Sequence, residues 1–143
     1  AGLRYEAKVF DLLAALLEWN DLTLSAPTAA SISAKDQEAM QSLKHFLLQN
    51  YSTKVDLQRL AQMCYMSKSK LTYLFRMLYG TTIYEFILAC RIDRAKELLA
   101  DREKKLSEIA ALVGYERQSS FSAAFHQKTG VTPNEFRRQF WNK

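Results

Sequence analysis

The sequence predicts an all-α chain: two helix-turn-helix subdomains joined by a long linker helix, plus an N-terminal amphipathic helix. Three observations carry this. Helix breakers are scarce, with four glycines and two prolines in 143 residues, while Leu, Ala, Lys, Gln and Glu are abundant. Apolar residues recur at helical spacing in most segments. The chain also repeats itself. Leu60-Ala61 and Met66 in the first copy match Ile109-Ala110 and Tyr115 in the second. Leu71, Phe75, Gly80, Thr82 and Phe86 match Phe121, Phe125, Gly130, Thr132 and Phe136 one residue further on, so the second copy carries one extra residue in its turn.

The elements follow in order. Residues 4–19 place Val9, Phe10, Leu12, Leu13, Leu16 and Leu17 on one helical face, a stripe that needs a partner. Residues 20–33, with Pro27 and small polar side chains, read as a linker. A helix resumes at Asp36 and runs to about Asn50, with Met40, Leu43, Phe46 and Leu47 on one face. The first repeat opens with a helix from about Asp56, a natural cap, to Met63, its inward face being Leu57, Leu60, Ala61 and Cys64. Tyr65-Met66-Ser67 is a turn, and Ser67 caps a second helix that stops at Gly80.

Thr82 caps the linker helix, Ile83 to about Ala100, which at ~1.5 Å per residue spans roughly 26 Å. A strut of that length suits two reading helices set about one DNA turn, ~34 Å, apart. After a charged turn at 101–105, the second repeat gives a helix ending at Gly114 and a second helix from about Arg117 to Lys128, stopped by Gly130. Pro133 starts a last helix. Phe136, Phe140 and Trp141 are placed to cover the core, with Arg137 and Arg138 outside.

Charge is unevenly spread. The net charge is +5. Residues 1–50 hold four basic and six acidic side chains, residues 51–143 sixteen and nine. The basic excess thus coincides with the repeat, as in a nucleic-acid binder. The second helix of each repeat is more specific. Neither Lys68–Arg76 nor Gln118–Lys128 contains an acid, whereas a plain solvated helix face carries paired Glu and Lys. Short polar side chains flanked by bases suit a major groove: Ser, Thr, Gln and Tyr meet base edges while Lys and Arg meet phosphates. The recurring Phe75, Phe86, Phe125 and Phe136 are read as core.

Other classes have less support. No apolar run approaches the ~18–20 residues of a membrane span, and the first ten residues lack a secretory pattern. The location expected is cytoplasmic and nucleoid-associated. Cys64 and Cys90 fall at apolar positions, and His45 and His126 have no partner at ligand spacing. No metal, nucleotide or organic cofactor is implied, and the chain is not expected to be an enzyme.

Arg91–Leu99 (RIDRAKELL), Ser107–Ala110 (SEIA), Val113–Tyr115 (VGY), Ser120–Phe125 (SFSAAF) and Gly130–Arg137 (GVTPNEFR) together resemble the C-terminal DNA-binding domain of AraC/XylS-type transcription regulators. The resemblance covers about residues 36–140. It implies a sequence-specific regulator, an activator that also touches RNA polymerase, whose two recognition helices enter successive major-groove segments of double-stranded DNA. By position, Ser69, Thr72 and Tyr73 in the first helix and Arg117, Gln118, Ser119, Ser122 and Ala123 in the second fall at base-reading sites. Lys68, Lys70, Arg76, His126, Lys128, Arg137 and Arg138 suit phosphates. Two positions depart from the family pattern: Met66 lies where a Gly-Tyr-like pair is usual, and Ala123 where some relatives place a large polar reader. Residues 36–143 form the DNA-binding domain in this reading. Residues 1–35 are the remnant of an effector or dimerisation domain, whose helix or missing part gives a homodimer.

Two other functions compete. A helical module could bind RNA polymerase or a partner regulator without DNA specificity of its own; its mark would be an exposed apolar patch on the two faces, with Tyr73 and Met77 as nearest candidates. An alkyl-transfer enzyme would use Cys64 or Cys90, but neither has an adjacent His as base.

Overall fold

A computed structural model describes residues 32–142. The helix expected over residues 4–19 and the linker up to residue 31 lie outside the described residues. Seven helices follow in order: α1 (Ala34–Asn50), α2 (Leu57–Met63), α3 (Lys68–Tyr79), α4 (Ile83–Leu99), α5 (Leu106–Val113), α6 (Gln118–Thr129) and α7 (Pro133–Trp141). The described residues contain no strand.

Capping sets the boundaries. Asp56, Ser67, Thr82 and Thr132 each accept a hydrogen bond from a first-turn amide of the helix they precede, which satisfies donors the helix cannot. Thr132 and Glu135 complete a reciprocal capping box. Helix α1 starts at Ala34 rather than Asp36, because Ser33 accepts from the Asp36 amide at 3.1 Å and Ile32 is already buried in the first core. Gly80 and Gly130 end α3 and α6 in the left-handed region.

The duplication holds in the backbone. Tyr65 and Gly114 occupy equivalent left-handed positions, with φ of 55° and 107°. The next residue's amide closes each turn, Met66 onto the Ala61 carbonyl at 3.0 Å and Tyr115 onto that of Ala110 at 2.8 Å. Ser67 and Arg117 then start the second helices, so the extra residue of the second copy is Glu116. The ring pairs repeat too: Phe75–Phe86 and Phe125–Phe136 both meet edge to face with centroids 5.6 Å apart.

Two cores result. The first gathers Met40, Leu43, Leu47, Leu60, Ala61, Leu71, Leu74, Phe75, Ile83 and Ile87. The second gathers Ile92, Ala95, Leu99, Ile109, Ala110, Val113, Phe121 and Phe125. Complete burial of each Val, Leu, Ile, Met or Phe among them contributes about 1.5–3 kcal/mol. Helix α4 serves both cores and touches α1, α3, α5, α6 and α7. At ~100° per residue, the Ile83–Ile87 face and the Ile92–Ala95–Leu99 face lie roughly 130° apart around the helix. That turn of the apolar stripe fixes the two halves on different sides of one rod.

Phe140 and Trp141 do not cover the core as the sequence reading expects. They remain 46% and 43% exposed and pack on each other, with the Arg102 guanidinium 4.3 Å over the Trp141 ring. Phe121, Phe125 and Phe136 already close the second core, and nothing remains there for α7's last turn to fill.

Candidate nucleic-acid interface

Burial of one face dictates what the other can present. Leu71, Leu74 and Phe75 anchor α3 in the first core, which leaves Lys68 and Ser69 exposed and Thr72, Tyr73 and Arg76 half-buried along the opposite side. Phe121 and Phe125 anchor α6, leaving Arg117, Gln118, Ser119, Ala123, His126 and Lys128 exposed and Ser122 half-buried. Each half therefore carries a helix whose outer face is polar or basic and free of acids.

Details refine this set. The Thr72 hydroxyl donates back to the Lys68 and Ser69 carbonyls at 2.9 and 3.1 Å, so toward a base it is available as an acceptor. The Tyr73 ring packs against the first core. At the start of α6, Arg117 provides no side-chain cap, whereas Ser67 accepts from the Lys70 amide at the start of α3. The first-turn amides of α6 thus lack the side-chain acceptor that α3 has, and helix N-termini favour anions.

Two residues assigned to phosphates are engaged within the fold. Lys70 pairs with Asp36 at 3.2 Å, tying α3 to α1. Arg137 does not stay outside. Its Nε donates to the Leu99 carbonyl at 3.1 Å, and Nη2 donates to those of Asp101 and Lys104 at 3.2 and 2.7 Å. A cation there satisfies the end of α4, whose last carbonyls have no intrahelical donor. Arg138 is exposed, and Arg76 has no ion pair among the described residues.

Sequence reasoning also missed a partner set. From sequence alone, Arg91 and Arg94 on the strut are equally open to phosphate contact and to intramolecular ion pairs with Glu97 or Asp101. Arg94 does pair with Glu97 at 2.7 Å. Arg91 instead bonds backbone carbonyls: Tyr51 at 2.7 Å, Thr53 at 3.1 Å and Gly114 at 3.4 Å. The signal was its place between the two apolar faces of α4.

Two helix-turn-helix halves with basic, acid-free outer helices, mounted on one shared helix, define a DNA-binding domain. A family model for the helix-turn-helix domain matches residues 60–139, and the chain belongs to that family, in its AraC-type branch of transcription regulators. It is 32% identical over 119 residues to the "Probable transcriptional regulator LumQ" of Photobacterium leiognathi, covering 80% of this chain and 48% of that protein. It is 31% identical over 103 residues to the "Bifunctional transcriptional activator/DNA repair enzyme AdaA" of Bacillus subtilis, covering 72% and 49%. The chain thus spans about half the length of these curated relatives. Among solved structures it is similar to the C-terminal domain of AraT, a response regulator from Geobacillus stearothermophilus. The identity is 30% and the TM-score 0.65, over 75% of this chain and 86% of that one.

Proposed function

We propose that this chain is the DNA-reading part of a transcription activator and that α3 and α6 enter successive major-groove segments on one face of the duplex. The observation that carries the reading is the repeated acid-free outer face, presented twice from a single rod. In this reading Ser69, Thr72 and Tyr73 on α3 and Arg117, Gln118, Ser119, Ser122 and Ala123 on α6 meet base edges. Lys68, Arg76, His126, Lys128 and Arg138 meet phosphates. The Ala123 methyl can only touch a thymine methyl or shape the fit, so Gln118 and Ser119 supply most direct discrimination in that half. Short Ser and Thr readers leave a share of specificity to DNA deformability.

Activation as the outcome, contact with RNA polymerase, a homodimer and residence on the nucleoid belong to the same proposal. Relatives named as activators support the first of these. The cysteines fit a packing role rather than alkyl transfer. Burial pushes both thiols above their ordinary range, helped at Cys90 by the Asp93 carboxylate, and that lowers the thiolate fraction a nucleophile needs. Among the described residues no group of three His, Cys, Asp or Glu side chains gathers at a metal-sized site, and no helix is long and apolar enough to cross a membrane.

Selection from a random-duplex library tests the reading. Enrichment of a bipartite site supports it. Enrichment of nothing, with capture of RNA polymerase or a partner regulator instead, replaces it with the protein-interaction module.

A further inference from the structure

Beside α4 the two halves approach each other at Ser52 and Gly114, and Arg91 lies there. It lies on α4 between Ile87, the last buried α4 residue of the first core, and Ile92, the first of the second. At ~100° per residue its side chain leaves the rod about midway between the two apolar faces. There it bridges both halves. Nε donates to the carbonyl of Tyr51, the C-cap of α1, and Nη2 to that of Thr53. Nη1 donates to the carbonyl of Gly114, the C-cap of α5. The guanidinium also lies 5.1 Å from the centre of the Tyr115 ring.

The chemistry explains why an arginine suits this place. Carbonyls at helix C-termini lack intrahelical donors and carry the negative end of the helix dipole. One planar cation with donors in fixed directions satisfies two such ends at once. The ends belong to different halves, so the guanidinium holds the halves at one mutual rotation. Beside it runs an open groove of about 950 Å³, lined by Ser52, Lys54, Tyr84, Arg117 and Ser120 among others. Beside the groove the halves also touch backbone to backbone at Ser52 and Gly114, a contact about which they can turn once the bridge is cut.

We infer that Arg91 is a positioning residue that fixes the rotation of one half against the other, and through it the number of base pairs separating the two DNA elements. The inference rests on the two-headed reading above. Adding one base pair between the elements shifts the second by ~3.4 Å and turns it by roughly 35°. A rigid bridge rejects that change, and a broken one tolerates it.

The test compares the whole chain with its Arg91→Met variant. Met keeps the aliphatic bulk and removes every donor. Binding is measured on duplexes that keep both elements but vary the spacing by one or two base pairs, and on a duplex with one element alone. The wild-type chain is expected to prefer one spacing over its neighbours by roughly tenfold, the scale of a mismatched base pair. In the variant that preference falls toward parity, while affinity for the single element stays the same. A merely structural role lowers all affinities together and leaves the spacing profile unchanged, and that result overturns the inference. Should Arg91→Met fail to fold by circular dichroism, Arg91→Lys keeps the charge but loses the fork. The same flattened profile is expected of it, and an unchanged one overturns the inference equally. A wild-type chain that enriches no two-element site overturns the two-headed reading itself, which separates that failure from a failure at Arg91.

Discussion

Gly114 and Ser52 bring two distant segments into backbone contact: a Cβ built on Gly114 would stand 2.6 Å from the Ser52 carbonyl oxygen and 2.8 Å from its Cα. Backbone cannot swing away as a side-chain tip can. Gly114 also adopts φ +107°, which L-residues rarely hold. Gly114→Ala is therefore expected to destabilise the fold by about 3 kcal/mol or more, combining left-handed strain with overpacking. Gly80 and Gly130 share the positive φ but have nothing within 4 Å of the built Cβ, so their alanine variants should lose only about 1–2 kcal/mol. Denaturant unfolding of the three variants checks this. Equal losses would mean that the Ser52 contact is loose.

Tyr65 is the first-repeat counterpart of Gly114, held at φ 55° and 95% exposed. It incurs left-handed strain and gains almost no burial in return. Tyr65→Gly should stabilise the fold by about 0.5–1 kcal/mol, the strain relieved less the extra freedom of glycine in the unfolded chain. Loss of stability in the same unfolding assay would show that the exposed ring has a partner.

Arg137 and Arg138 are neighbours in different surroundings, one bonded to three carbonyls and the other exposed. Arg137→Ala leaves three carbonyls at and beyond the end of α4 without their donor and should cost about 2–3 kcal/mol of stability. Arg138→Ala should change stability by less than about 0.5 kcal/mol. Thermal unfolding distinguishes them, and identical melting of the two variants would contradict the assignment.

In the proposed reading Gln118 meets a base and Arg76 a phosphate. Gln118→Ala should alter preference at one or two base pairs, by about 1–3 kcal/mol at those positions. Arg76→Ala should weaken binding on every sequence and reduce the salt slope by about one unit. Uniform loss for Gln118→Ala, or an unchanged slope for Arg76→Ala, would remove that residue from its role.

The fold was legible because each local signal agreed with the next. Asp56, Ser67 and Thr82 cap where their spacing to the apolar stripe demands, Gly80 and Gly130 stop helices at equivalent points of the repeat, and Gly114 stops α5. What the residues did not disclose depends on backbone groups far away in sequence. The carbonyls that Arg91 and Arg137 satisfy belong to helix ends tens of residues distant, so an exposed-looking arginine could not be told from a phosphate ligand. Lys70 pairs with the Asp36 carboxylate, a side chain equally distant in sequence. The left-handed turn at Tyr65 was hidden because tyrosine gives no conformational signature, although its place opposite Gly114 in the repeat pointed to it. Phe140 and Trp141 misled because apolarity predicts burial only while a core still has space.

The most direct test of the central claim is methylation interference and hydroxyl-radical footprinting on the selected duplex. Two-headed major-groove reading predicts two windows on one face, centred about one helical turn, ~10–10.5 base pairs, apart. Guanine N7 methylation should block binding within both windows. A single window, or two windows on opposite faces, would contradict it.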